Sequence, residues 1–184
     1  MAIDKLHWLA DVLREEGLSV EEFDGWREHG DGALDDVWGI MCHHTGSDNV
    51  SADSIADGTV DRAGPLSNVL IHRDGTVTVV AAGMANHAGG GYHPDLPRNN
   101  ANGHTIGIHA VLGDKQQYPH EQYQSYVRCC AAIVRKIGKP ASHVIGHSEW
   151  DPDKTDPNLS MDQLRADVRL HLGSRPQPNA RQFQ

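Results

Sequence analysis

Residues 105–112 alternate one by one. Ile106, Ile108 and Ala110 fall on one side of an extended chain, and Gly107, His109 and Val111 fall on the other, which is the period-2 pattern of a strand. Residues 37–44 repeat it, with Trp38, Ile40, Cys42 and His44 opposed to Val37, Gly39, Met41 and His43. Elsewhere the period lengthens. Leu6, Leu9, Ala10 and Leu13 mark an amphipathic helix over 4–16, closed by Gly17. Tyr123, Val127, Cys130, Val134 and Ile137 mark a longer one, with Pro119 suited to its first turn and Gly138 to its end. Ser160 and Gln163 form a capping box for a last helix carrying Met161, Leu164 and Val168. Runs 69–72 and 76–82 flank Arg73-Asp74-Gly75 as a hairpin, and 143–146 reads as a short strand. The order helix, strand, hairpin, strand, long helix, strand, helix predicts an α/β fold with a single mixed sheet flanked by helices.

A chain of 184 residues fits one domain, here 1–173, followed by a polar, proline-containing tail over 174–184. Segments 24–36, 46–64 and 87–103 are rich in small and polar residues and read as loops. A net charge of −9 argues against nucleic acid or anionic lipid as partner, and against a histidine-rich metal nuclease. No apolar run approaches the roughly 20 residues that cross a bilayer, so membrane insertion is not expected. Met1-Ala-Ile-Asp-Lys lacks the basic-then-apolar layout of a secretory signal, so synthesis in the cytoplasm is expected. The three cysteines include the neighbours Cys129 and Cys130 and imply reduced thiols, with Cys42 in the core.

Thirteen histidines are the compositional oddity. Strands deliver His43 and His44 at one end and His147 at another. Alternation turns His43 and His44 to opposite faces, so at most one of them serves a given site. After His147 the chain carries Glu149, Asp151, Asp153, Lys154 and Asp156. Two imidazoles and a carboxylate make a zinc set that leaves one position open. The same residues also fit a solvated acidic loop beside two histidines that cap strands.

A resemblance narrows these alternatives. His43-His44-Thr45-Gly46, Ile71-His72-Arg73-Asp74-Gly75-Thr76, His87-Ala88-Gly89-Gly90, Ile106-Gly107-Ile108, and Gly146-His147 followed by Lys154-Thr155-Asp156-Pro157 resemble, in order, the type-2 N-acetylmuramoyl-L-alanine amidases. That family shares its fold with peptidoglycan recognition proteins and many phage endolysins. With the preceding Gly25-Trp26-Arg27, the chain is similar to amidase modules of endolysins from phages of mycobacteria. The resemblance implies Zn2+ held by His43, His147 and Asp156, and Lys154 stabilising the oxyanion. It further implies a groove along 46–64 and 87–103 in which His87 and Asn68 contact substrate. The substrate implied is peptidoglycan, cut between N-acetylmuramic acid and L-alanine by a monomer that reaches the cell wall after release.

The chain departs from the pattern in three places. His109 stands where many relatives have the glutamate implicated in activating water, so the proton acceptor is expected to be His109 or Glu149. Ser67 or Asn68 stands where relatives often have tyrosine. The loop from His147 to Asp156 is one residue longer than in members with a cysteine ligand. A peptidoglycan-binding module without activity is the rival reading. Asp156, able to ligate zinc, separates the two.

Overall fold

The computed structural model describes residues 5–174. Of the expected tail, all but Ser174 lies outside the described residues. In chain order the elements are α1 (Leu9–Glu15), β1 (Val20–Glu22), β2 (Gly39–Gly46), α2 (Ala52–Asp57), β3 (Gly58–Thr59) and β4 (Arg62–Ala63). They continue with β5 (Val69–Ile71), β6 (Val77–Val79), β7 (Thr105–Gly113), α3 (His120–Lys136), β8 (Val144–Gly146), α4 (His147–Trp150) and α5 (Met161–Ser174). A six-stranded sheet has the order β1-β6-β5-β7-β2-β8. Among the described residues its pairings are parallel except for the β5–β6 hairpin, so the sheet is mixed, as expected.

Alternation sorts the two faces. Ile40 and Cys42 of β2, Ile106 and Ile108 of β7, and Val69 and Ile71 of β5 pack with α1, α3 and α5 through Leu9, Leu13, Tyr126, Cys130, Leu164 and Val168. Burying each such aliphatic side chain contributes about 1.5–3 kcal/mol. The opposite face is covered by thinner material. Met41 and Ile145 meet Ala88, Leu96, Ala101 and Trp150, while Leu70, Val80 and Val111 meet Ile55 and Ala56 of α2. The hairpin turn is closed by Gly75 at φ +86°, a left-handed value that suits glycine, and the Thr76 N–H donates to Asp74 Oδ1 at 2.9 Å.

Several expectations change in detail. β1 was not anticipated: it is three residues long, carries two glutamates and lies at the sheet edge, so it shows no apolar alternation. Segment 46–64 is not a plain loop, because Ser51 Oγ caps α2 by accepting the Ser54 N–H at 3.2 Å, and the β3–β4 hairpin follows. Pro119 precedes α3 instead of occupying its first turn. Only half of the Ser160 capping box forms. Ser160 Oγ accepts the Gln163 N–H, but the Gln163 side chain turns to Asp167 Oδ1 at 2.9 Å.

Candidate metal centre

The parallel pairing of β2 with both β7 and β8 brings three strand ends together. His43 lies opposite His109, and Cys42 opposite Gly146, so His147 emerges one residue past β8 beside His43. Asp156 returns to the same place because its carbonyl accepts the Ser148 N–H at 3.0 Å. Asp156 Oδ2 then lies 2.8 Å from His43 Nδ1 and 3.0 Å from His147 Nδ1, and the two Nδ1 atoms are 3.1 Å apart.

The outer nitrogens decide what the inner ones can be. His87 Nε2 donates to the Thr105 carbonyl at 3.2 Å, which leaves the neutral His87 ring with Nδ1 as an acceptor. His43 Nε2, 3.0 Å away, therefore donates to it. His147 Nε2 donates to the Ala88 carbonyl at 2.9 Å. With both protons on Nε2, the neutral rings of His43 and His147 present lone pairs at Nδ1, and two lone pairs 3.1 Å apart beside a carboxylate cannot hydrogen-bond to one another. A cation resolves the conflict. A tetrahedral ion with bonds of about 2.0–2.1 Å needs ligand atoms about 3.3 Å apart, and these distances fall short of that by about half an ångström or less. The donor set of His43, His147 and Asp156 fits zinc.

The protonation states agree. Burial lowers the His43 pKa to about 4, against the raising effect of Asp156, so the ring is neutral near pH 7. Burial and the nearby His43 ring push His87 well below its usual range.

Around this centre is a cavity of about 450 Å³, lined among others by His43, His87, His109, His147, Lys154 and Asp156. His109 stacks on His43 with ring centroids 4.3 Å apart and planes 8° from parallel, and its buried Nδ1 has no partner among the described residues. Lys154 is exposed at the cavity wall. Beneath the site, the Tyr126 hydroxyl accepts the His43 N–H at 2.9 Å and reaches the His43 and Ile108 carbonyls at 3.0 and 2.8 Å.

The structure brings His43, His147, Asp156, His109, His87 and Lys154 together, and it places two expected residues elsewhere. Glu149 does not line the cavity. Its Oε2 accepts the Gly146 N–H at 2.8 Å and its two oxygens take Arg165 Nη1 and Nη2 at 2.9 and 3.0 Å, so it ties α4 to α5. Asn68 is fully buried, its Nδ2 donating to the Ala81 and Gly83 carbonyls and its Oδ1 accepting the Gly107 N–H, so no group remains for substrate. His87, expected to touch substrate, lines the cavity but spends both ring nitrogens on His43 and Thr105. His44 stays out of the cluster, with Nδ1 accepting the Gly46 N–H at 2.9 Å. Tyr126 and the Ala88 carbonyl were missed. Tyr126 had a signal, standing three residues after Tyr123 and four before Cys130 on the buried stripe of α3. A backbone carbonyl leaves none.

The sequence profile described as N-acetylmuramoyl-L-alanine amidase matches residues 33–159, more than half of the chain. No match is found among curated proteins. Solved structures agree in fold. The N-acetylmuramoyl-L-alanine amidase LysC from Clostridium intestinale is 18% identical with a TM-score of 0.58, over 81% of this chain and 96% of that one. A mutant endolysin from Bacillus subtilis is 13% identical with a TM-score of 0.61, over 82% and 99%. The amidase AmiD from E. coli, solved with anhydro-N-acetylmuramic acid-L-Ala-D-gamma-Glu-L-Lys, is 16% identical with a TM-score of 0.58, over 71% and 57%.

Proposed function

The chain belongs to the N-acetylmuramoyl-L-alanine amidase family, and from that membership we propose that it is a zinc-dependent, endolysin-type hydrolase of the amide between N-acetylmuramic acid and L-alanine in peptidoglycan. The observation that carries the zinc reading is the pair of lone-pair-bearing Nδ1 atoms of His43 and His147, 3.1 Å apart against Asp156. The same carboxylate favours an enzyme over a binding module. When bound, zinc would supply Lewis acidity, polarising the scissile carbonyl and making water easier to deprotonate.

The chain's own residues divide the remaining work. His109 stands beside His43, its Nδ1 has no partner among the described residues, and burial together with the His43 ring lowers its pKa well below the usual imidazole range, so the ring is neutral, the form a general base requires. The Lys154 ammonium, at the wall of the same cavity, stabilises negative charge as it develops on the amide oxygen. Arg62, Val50, Ile55 and Leu66 line the cavity beyond the histidines and give an extended stem peptide polar and apolar contacts. The protein would act as a monomer on the cell wall after release from the cell that makes it.

Digestion of purified peptidoglycan tests the reading. New L-alanine amino termini without new reducing sugar ends are expected, together with about one zinc per chain by elemental analysis. Activity that survives chelation, with less than a few tenths of an equivalent of zinc, would remove the metal. His109→Ala at full zinc occupancy should lose about 10²-fold or more in kcat/KM, and near-normal activity would take His109 out of the mechanism.

A further inference from the structure

The two candidate ligands have their outer nitrogens held by consecutive residues. The side chain of His87 takes the His43 Nε2–H, and the carbonyl of Ala88 takes the His147 Nε2–H. Whatever fixes this dipeptide therefore sets the orientation and tautomer of both imidazoles at once. The Asn102 side chain meets that description: its Oδ1 accepts the N–H of His87 at 3.1 Å and of Ala88 at 2.8 Å. We propose that Asn102, which does not line the cavity, is a positioning residue of the metal centre, acting through the 87–88 backbone on His43 and His147 together.

The surroundings leave that backbone little alternative. The His87 ring lies against β7 where a Cβ on Gly107 would come within 2.7 Å of it, so the glycine makes the seat for the ring. Its Nε2 is tied to the Thr105 carbonyl, and Thr105 Oγ1 donates to the Ala101 carbonyl at 2.8 Å, joining the start of β7 to the turn that carries Asn102. Asn102 closes this ring of contacts from the backbone side. Without its oxygen, two N–H groups lose their acceptor and the dipeptide can rotate away. Both ligand rings are then free to exchange Nδ1 and Nε2 protons, which costs metal affinity as a lost outer partner of a ligating histidine does.

The inference rests on the zinc reading, and the experiment separates the two. Zinc(II) is titrated into the metal-free full chain in competition with a chromophoric chelator, for the wild type, Asn102→Ala and Asn102→Asp, with thermal unfolding of each metal-free protein alongside. Asn102→Ala should bind zinc about ten- to a hundredfold more weakly. Asn102→Asp, which keeps an acceptor oxygen, should stay within about threefold of wild type, a window far narrower than that loss. A wild type that takes up no zinc overturns the metal reading and the inference with it. Zinc-binding wild type with equally tight Asn102→Ala, or with Asn102→Asp as weak as Asn102→Ala, overturns the inference alone, even if the melting temperature falls. Long-range 1H–15N spectra of zinc-loaded wild type give a measurement that needs no variant: His43 and His147 must both carry their proton on Nε2, and any other tautomer refutes the scheme.

Discussion

Replacing Tyr126 by Phe isolates one hydroxyl that joins the helical layer to the candidate centre. The ring stays in place, fully buried under β2, so no cavity larger than an oxygen is opened. What is lost is the acceptor of the His43 N–H at 2.9 Å and a donor shared between the His43 and Ile108 carbonyls at 3.0 and 2.8 Å. The hydroxyl has one proton and satisfies one carbonyl at a time, so the N–H is the group left without alternative. A buried donor stripped of its acceptor costs about 1–3 kcal/mol. For a chain of this length each kcal/mol moves the melting temperature by about 2–4 °C, which places the expected fall between about 2 and 12 °C. Circular dichroism melts of the metal-free protein, with urea titrations to show an unchanged m-value, supply the measurement. A melting temperature within 1 °C of wild type, a bound set below the smallest shift expected, would refute the claim that this hydroxyl anchors His43. Burial raises the Tyr126 pKa well above the usual phenol range, so the hydroxyl keeps its proton throughout neutral pH.

The other expectations separate neighbours that look alike in the chain. His43→Ala should abolish stoichiometric zinc uptake, while His44→Ala should keep about one equivalent and lose about 1 kcal/mol of stability with the bond to the Gly46 N–H, and the reverse pattern in elemental analysis and melts would mean the β2 register is wrong. Glu149→Gln should lower stability by about 1 kcal/mol or less, since its pair with Arg165 is partly solvated, and leave peptidoglycan hydrolysis within about threefold, against the 10²-fold or more expected for loss of a general base. A hundredfold loss at unchanged zinc content would return Glu149 to the chemistry.

Which side of a strand a residue occupies is legible from the chain alone, and that sufficed for the centre of the site. Alternation put His43 with Met41 and away from Cys42, put His109 with Gly107 and Val111, and so placed both imidazoles on the thinly covered face once β2 and β7 paired. What alternation cannot carry is the partner that another element brings. Glu149 belongs to a stretch dense in carboxylates and near a lysine, which suits catalysis by residue type, yet Arg165, sixteen residues later on α5, claims both of its oxygens. Asn68 likewise lies where a substrate contact was expected, and the Gly107 N–H and two carbonyls from the far end of the hairpin take its whole amide. His87 shows the intermediate case: its place by the site was readable, but its role depends on a missing side chain at position 107, which lets the ring settle against the strand and turn its Nδ1 to His43. A polar residue's function here follows from which of its hydrogen bonds the rest of the fold leaves unspent. By that measure His109, whose buried Nδ1 has no partner among the described residues, is the residue on this face to which the proposed reading gives the proton.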